Sequence, residues 1–177
     1  MMLTEILDVR TYKFKREDRV LLDANIWIYI HGPDARGWKT EVYSAALKRI
    51  RLAQSAIHVD LLVLSEFMNR YARIHQGYSR KKEFKEFRGS PEYGIVAKSI
   101  AAAARRIIKL CHLVTDGFEA VDIGKLIDTF ELECADFNDL VIAETCRSEN
   151  LMLVTHDGDF RESGITILTA SPALLRP

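Results

Sequence analysis

The sequence predicts an α/β fold on a mostly parallel sheet, and three observations carry that reading. Short apolar runs alternate with longer segments of helical period, the pattern of strands joined by helical crossovers. One run, Val20-Leu21-Leu22, ends directly on a carboxylate, Asp23. A central parallel strand ends that way when its last residue faces the ligand crevice beyond the carboxyl ends of the strands. Finally, no internal repeat, low-complexity stretch or linker divides the 177 residues, a length that suits one domain with a sizeable core.

The elements follow in order. Residues 1–19 alternate weakly between apolar and charged, as in Tyr12-Lys13-Phe14-Lys15, and read as a short strand or an N-terminal arm before a single domain over 20–177. Val20–Asp23 is the first core strand, and a short helix starts near Asn25. Gly32-Pro33-Asp34 and Gly37 punctuate a turn. Glu41–Ala53 carries Val42, Ala45, Ala46, Ile50 and Ala53 at helical spacing. Ile57–Val59 is a second strand. Asp60 is assigned to helix capping, and Leu61–His75 is a strongly apolar helix. Gly77–Pro91, charged and carrying two glycines, is the segment of doubtful order. Pro91 opens an alanine-rich helix to about Lys109, Leu113–Thr115 is a third strand, and Val121–Leu132 is helical. Asp136 caps a helix running to about Arg147. Leu151–Thr155 and Ile165–Leu168 are the last strands, before a tail with Pro172 and Pro177 that reads as loose.

Composition narrows the function classes. Lys+Arg and Asp+Glu number 25 each, so overall charge does not mark a nucleic-acid binder and any such surface must be local. Nearly half the residues are apolar, which excludes a disordered chain. The longest apolar run, Leu61–Leu64, is far too short to span a bilayer, and residues 1–19 hold no apolar stretch of signal-peptide length. Cys111, Cys134 and Cys146 are scattered and odd in number, with no C-x-x-C pair, which argues against a zinc ribbon or disulfide framework. A cytoplasmic protein with reduced thiols is expected.

The chemistry lies in the acids. Asp23 ends the first core strand; Asp157 follows the strand Leu151–Thr155 with only His156 between, and Asp159 comes two residues later. If both strands are parallel and central, Asp23 and Asp157 share one edge of the sheet. Asp136 and Asp139 share a face at a helix start. Glu66 interrupts an apolar helix, where a buried unpaired carboxylate costs several (roughly) kcal/mol. A cation shared with other acids removes that cost, and an i,i+4 pair with Arg70 is the simpler alternative. Asp136 and Asp139 also suit a helix cap and its first turn, and Asp159 suits a turn. No single acid is decisive. Several acids at one sheet edge, without matching His or Cys ligands, select a hard cation such as Mg²⁺ or Mn²⁺ over zinc or copper.

Four segments together resemble the PIN-domain ribonucleases, and within them the VapC-like toxins of toxin–antitoxin pairs. They are Val20-Leu-Leu-Asp23-Ala-Asn25, Asp60-Leu-Leu-Val-Leu-Ser-Glu66-Phe67, Asp136-Phe-Asn-Asp139-Leu-Val-Ile-Ala143 and Leu153-Val-Thr155-His-Asp157-Gly-Asp159-Phe160, and the likeness spans Val20 to about Leu168. The resemblance implies an α/β/α sandwich and a metal-dependent endoribonuclease that cleaves single-stranded RNA with metal-activated water, leaving a 5′-phosphate and a 3′-hydroxyl. It makes Asp23, Glu66, Asp139 and Asp157 the catalytic acids that hold Mg²⁺ or Mn²⁺, with Asp136 and Asp159 as secondary metal candidates and Asn25 and Thr155 orienting the acids. It also implies a homodimer and a cognate antitoxin whose C-terminal segment enters the acid groove. The chain departs from the pattern in its N-terminal extension, in Asp60 where a small hydroxyl residue is common, in His156 where Arg or Lys often stands, and in its large region between Gly77 and Lys109.

RNA, single-stranded or structured, must also be gripped by cations. Arg70, Arg73, Arg80, Lys81, Lys82 and Lys85 follow Glu66, with Tyr71 and Tyr78 available to stack a base; the plain alternative is a solvated face. Trp27 and Trp38 read as core or partner-contact residues, the five histidines as structural or surface groups, and Cys134 as buried packing. Two other readings compete: a catalytically silent module of the same fold that binds RNA or protein, and an aspartate-nucleophile phosphatase. The second wants Asp-x-Asp after the first strand, where this chain has Asp23-Ala-Asn25.

Overall fold

The structure, a computed structural model, describes residues 3–81, 83–114, 121–133 and 135–176. Among the described residues six strands form one sheet: β1 (Glu5–Asp8), β2 (Arg19–Leu22), β3 (Ala56–Val59), β4 (His112–Leu113), β5 (Met152–Val154) and β6 (Thr166–Thr169). Their spatial order is β1-β6-β5-β2-β3-β4, and every pairing is parallel. The helices α1 (Ala24–His31), α2 (Trp38–Ala53), α3 (Leu61–Tyr78), α4 (Phe84–Arg88), α5 (Pro91–Leu110), α6 (Ile123–Glu133), α7 (Phe137–Ser148) and α8 (Pro172–Leu175) complete an α/β/α sandwich.

β2 lies at the centre, with β3 on one side and β5 on the other. Val20, Leu21 and Leu22 are all buried, which is why this strand is an unbroken apolar run rather than an alternating one. From β2 the chain moves outward through β3 to β4, then returns to β5 and moves the other way to β6, on whose outer edge the N-terminal strand β1 pairs. The connections leaving β2 and β5 therefore diverge. The gap between their carboxyl ends is the topological switch point, where an open α/β sheet forms its ligand crevice.

Of the alternatives open for residues 1–19, a strand forms at 5–8 and pairs with β6. The following stretch is held by α2 and its exit: the Arg49 guanidinium donates to the carbonyls of Val9 and Tyr12, at 2.5 and 3.0 Å, and Ser55 Oγ donates to the Lys15 carbonyl. The region of doubtful order contains α4, whose Phe87 is 1% exposed and packs edge-on against Tyr93. The expectation of a loose tail is corrected. Residues 172–175 form α8 and Leu174 is buried against the core. Pro172 there acts as a helix starter, since an N-terminal helical position needs no N–H. The third strand is shorter and earlier than expected, at His112–Leu113, and Thr115 lies outside the described residues.

Candidate active site at the switch point

Asp23 is the first residue past β2 and stands at the N-terminus of α1 without a side-chain cap bond, and its backbone N–H donates to the Val154 carbonyl of β5 at 3.0 Å. It therefore sits in the switch point itself, and it is 4% exposed. Thr155, the next residue after β5, is fully buried beside it. Thr155 Oγ1 donates to Asp23 Oδ2 at 2.7 Å and accepts from Asn25 Nδ2 at 3.1 Å and from the Asp157 backbone N–H at 3.0 Å. A hydroxyl has one proton and two lone pairs, so this one is saturated. Asn25 Nδ2 also donates to Asp23 Oδ2 at 2.5 Å, and Asn25 Oδ1 accepts from the His156 backbone N–H at 3.3 Å. The buttress takes Oδ2 and leaves Oδ1 without a side-chain donor among the described residues.

The other acids stand on three further elements. Glu66 stands in the second turn of α3, after β3. Asp139 stands in the first turn of α7, and Asp157 starts the 3-10 helix Gly158–Glu162 after β5. Burial pushes the Asp23 carboxyl up to about 6; the Thr155 hydroxyl opposes this, and the charges of Glu66 and Asp157 add to it. Asp139 is pushed up to about 7 by burial and then by Asp136, Asp157, Asp23 and Glu66. Glu66 is raised by burial, against the pull of Arg70. Asp23, Asp139 and Glu66 are each raised in part by the charges of other acids in this set, which makes them one electrostatic site.

That site has all-oxygen chemistry and excess negative charge, which fits a hard divalent cation. Bare carboxylates also hold one another apart. Among the described residues, no group of three or more His, Cys, Asp or Glu side chains is drawn together closely enough to hold a metal ion.

The sequence model of the PIN domain family matches residues 20–165, from β2 to the residue before β6. The chain belongs to the PIN domain family. Members of this family are in general nucleases. No curated protein matches the chain in sequence. The chain is similar in fold to several solved structures, two of which follow. VapBC2 from Rickettsia felis, in a crystal structure bound to a DNA fragment from the promoter, has a matching chain with TM-score 0.53 and 19% identity, over 85% of this chain and 98% of that one. PAE2754 from Pyrobaculum aerophilum has TM-score 0.51 and 13% identity, over 91% and 90%.

Within this PIN fold the secondary candidates lie at the rim. Asp136 is exposed and caps α7, accepting from the Asn138 N–H at 2.8 Å, while its charge still raises Asp139 and Glu66. Asp159 is exposed, and its N–H donates to Asp157 Oδ1 at 3.2 Å. Asp60 caps α3 through the Val63 N–H at 2.7 Å.

Of the residues proposed to grip RNA, two already have partners on the protein. Arg70 Nη1 pairs with Glu66 Oε1 at 3.2 Å, the i,i+4 alternative. α3 is amphipathic rather than apolar all round: Val63, Phe67 and Tyr71 face the core while Leu61 and Met68 are exposed, so Glu66 is half-buried at the boundary. Arg73 lies over the Phe84 ring at 4.6 Å. Arg80 and Lys81 are exposed, whereas Lys82 lies outside the described residues, as does Cys134. Tyr71 is buried between Phe67 and His75 and is not free to stack a base; Tyr78 is exposed, with its hydroxyl donating to Asp34.

Sequence reasoning missed a corner beside Asp157. There the His156 ring meets Tyr29, Trp38 and Tyr43, with Lys39 alongside. These residues span positions 29 to 156, and no local pattern joins them.

Proposed function

We propose that the chain is a Mg²⁺- or Mn²⁺-dependent endoribonuclease that cleaves RNA through metal-activated water, and that it acts as a VapC-like toxin. The observation that supports this most is Asp23: a buried carboxylate at the switch point, oriented by Asn25 and Thr155 and repelled by Glu66 and Asp157. Asp23, Glu66, Asp139 and Asp157 would hold the cation, with Asp136 and Asp159 at the rim. A hard divalent cation bound there activates water and offsets charge on the phosphoryl and leaving oxygens. The protein's own part is positioning. Thr155 fixes Asp23 and the Asp157 backbone together, so the acids from β2 and β5 keep one spacing. Arg70 holds Glu66 through an i,i+4 ion pair, which a cation bound there would replace.

The nuclease domain proposed is residues 20–177, with residues 1–19 an N-terminal extension that adds the edge strand β1. The likeness to the VapBC2 chain supports an antitoxin partner, and a homodimer in the cytoplasm fits the same reading. Among the described residues no helix is long and apolar enough to cross a membrane. Exposed Arg80 and Lys81, with Lys82, remain candidates for RNA backbone contact.

The Glu66–Arg70 pair favours the competing reading, a PIN-fold module that binds without cutting. Cleavage of a fluorescent single-stranded RNA in Mg²⁺ or Mn²⁺ separates the two. Cleavage abolished by EDTA and by Asp23→Asn is the expected result. No cleavage by partner-free, metal-supplied protein across RNAs of varied sequence would favour the silent module.

A further inference from the structure

The aromatic corner beside Asp157 lies on the edge of the site, and its chemistry is not that of a core. Trp38 and Lys39 open α2 immediately after Gly37, whose φ of 88° is a left-handed conformation that favours glycine. Trp38 is 49% exposed, in contrast to Trp27, which is fully buried. The Trp38 ring meets the His156 ring with centroids 5.5 Å apart, and His156 is the residue directly before Asp157. His156 is in turn locked: its Nδ1 lies 2.7 Å from the Tyr43 hydroxyl, which also accepts from the Ala170 N–H at 3.1 Å. Tyr29 stacks on Tyr43 behind it, at 5.8 Å.

Lys39 completes the corner. Its Nζ donates to the Tyr29 hydroxyl at 3.2 Å and sits 5.0 Å from the Tyr29 ring centroid and 5.9 Å from that of Trp38. Among the described residues it makes no ion pair, whereas Arg70 is tied to Glu66 and Arg73 is set over Phe84. Trp38 lies between Lys39 and His156, so Lys39 stands near the strand end that carries Asp157.

We propose that Trp38 and Lys39 form a nucleotide-binding subsite next to the carboxylates: the half-exposed indole stacks one base of single-stranded RNA, and the Lys39 ammonium holds an adjoining phosphate. An aromatic face beside an unpaired cation matches the two recurring contacts of a single strand, base stacking and backbone charge. The acids repel the RNA backbone, so a cation on their border gives the strand a reason to lie across them. His156 and Tyr43 are positioning residues for the platform, because Tyr43 meets the His156 ring against which Trp38 packs. The inference rests on the nuclease reading for the choice of RNA, and it adds which nucleotide contact sets the strand in place.

Tryptophan fluorescence tests it, because the chain has two tryptophans and one is buried. In an Asp23→Asn background, where the substrate stays intact, a mixed-sequence single-stranded RNA of about ten nucleotides should quench Trp38 emission, and Trp38→Phe should lack that quench. Anisotropy with labelled RNA should show about ten-fold weaker binding for Trp38→Ala, little change for Trp38→Phe, and a smaller salt dependence for Lys39→Gln. An abasic site at one position of the RNA should weaken wild-type binding and leave Trp38→Ala unaffected. Unchanged binding by a folded Trp38→Ala protein, or the same abasic profile in both proteins, overturns the subsite. The nuclease reading is scored separately: wild type that cuts RNA while Trp38 is dispensable loses only the subsite. Trp38-dependent binding without metal-dependent cutting keeps the subsite and discards the nuclease.

Discussion

At the scale of a single residue, Thr155 decides the geometry of the site. It is buried, and its hydroxyl serves Asp23, Asn25 and Asp157 at once. Thr155→Val keeps the shape and removes all three hydrogen bonds. Leaving buried polar groups short of partners costs about 1–3 kcal/mol of stability, and loss of a group that orients ligands lowers metal affinity or activity by about 10–100-fold. Urea unfolding and Mn²⁺ titration of Thr155→Val against Thr155→Ser measure both; the Ser variant retains the hydroxyl and should retain most of the affinity. Equal metal affinity in the two variants would remove the orienting role. Asn25 and Thr155 could be read in the sequence only through the resemblance. Their bonds join positions 23, 25 and 155, and that proximity exists because β2 and β5 are neighbours.

At the scale of an element, the region after α3 departs most from a sequence reading. Its glycines and charges suggested disorder, yet α4 forms and buries Phe87 between α3 and α5. Phe87→Ala should destabilise the protein by about 3–5 kcal/mol, as expected for deleting a buried aromatic ring, with urea denaturation as the readout. A change under about 1 kcal/mol would mean the segment contributes little to the core. The helix is five residues long, too short to announce itself by periodicity, and its burial depends on a cleft made by two other helices. α3 errs the opposite way. A run such as Leu61-Leu-Val-Leu64 reads as buried, but the helical turn of 100° per residue rotates Leu61 to the exterior and brings Glu66 to the boundary beside Arg70.

At the scale of the whole molecule, the sheet edge gathers like charges, and that makes stability depend on pH. The carboxyl of Asp23 goes from an ordinary 3.8 to about 6 on folding, and that of Asp139 to about 7. An acid raised on folding contributes stability that is fully present below its unfolded value and is lost as the pH rises through its folded value. In EDTA, wild type should therefore lose stability between about pH 4 and 7 relative to Asp23→Asn and Asp139→Asn. His31, His58 and His156 are lowered by burial, so they destabilise the fold as the pH falls and oppose the trend. The difference between wild type and each variant is thus the quantity to follow, by melting temperature across that range. Parallel pH profiles would show that the acids do not strain the metal-free fold.

The sequence by itself determined the alternation of strands and helices, the buried central strand, the helix caps at Asp60 and Asp136, and which acids stand at element ends. These are local properties: apolar run length, helical period and the hydrogen-bonding reach of an aspartate to the next few N–H groups. Only the tertiary structure decided which ends meet. The strand order made the gap between β2 and β5 the switch point, closed Thr155 and Asn25 onto Asp23, moved Tyr71 into the core, and assembled Trp38, Lys39 and His156 into one corner. The physical reason is that burial, mutual repulsion and hydrogen-bond saturation are set by neighbours in space. In a parallel sheet, neighbouring strands are separated in the chain by whole crossovers.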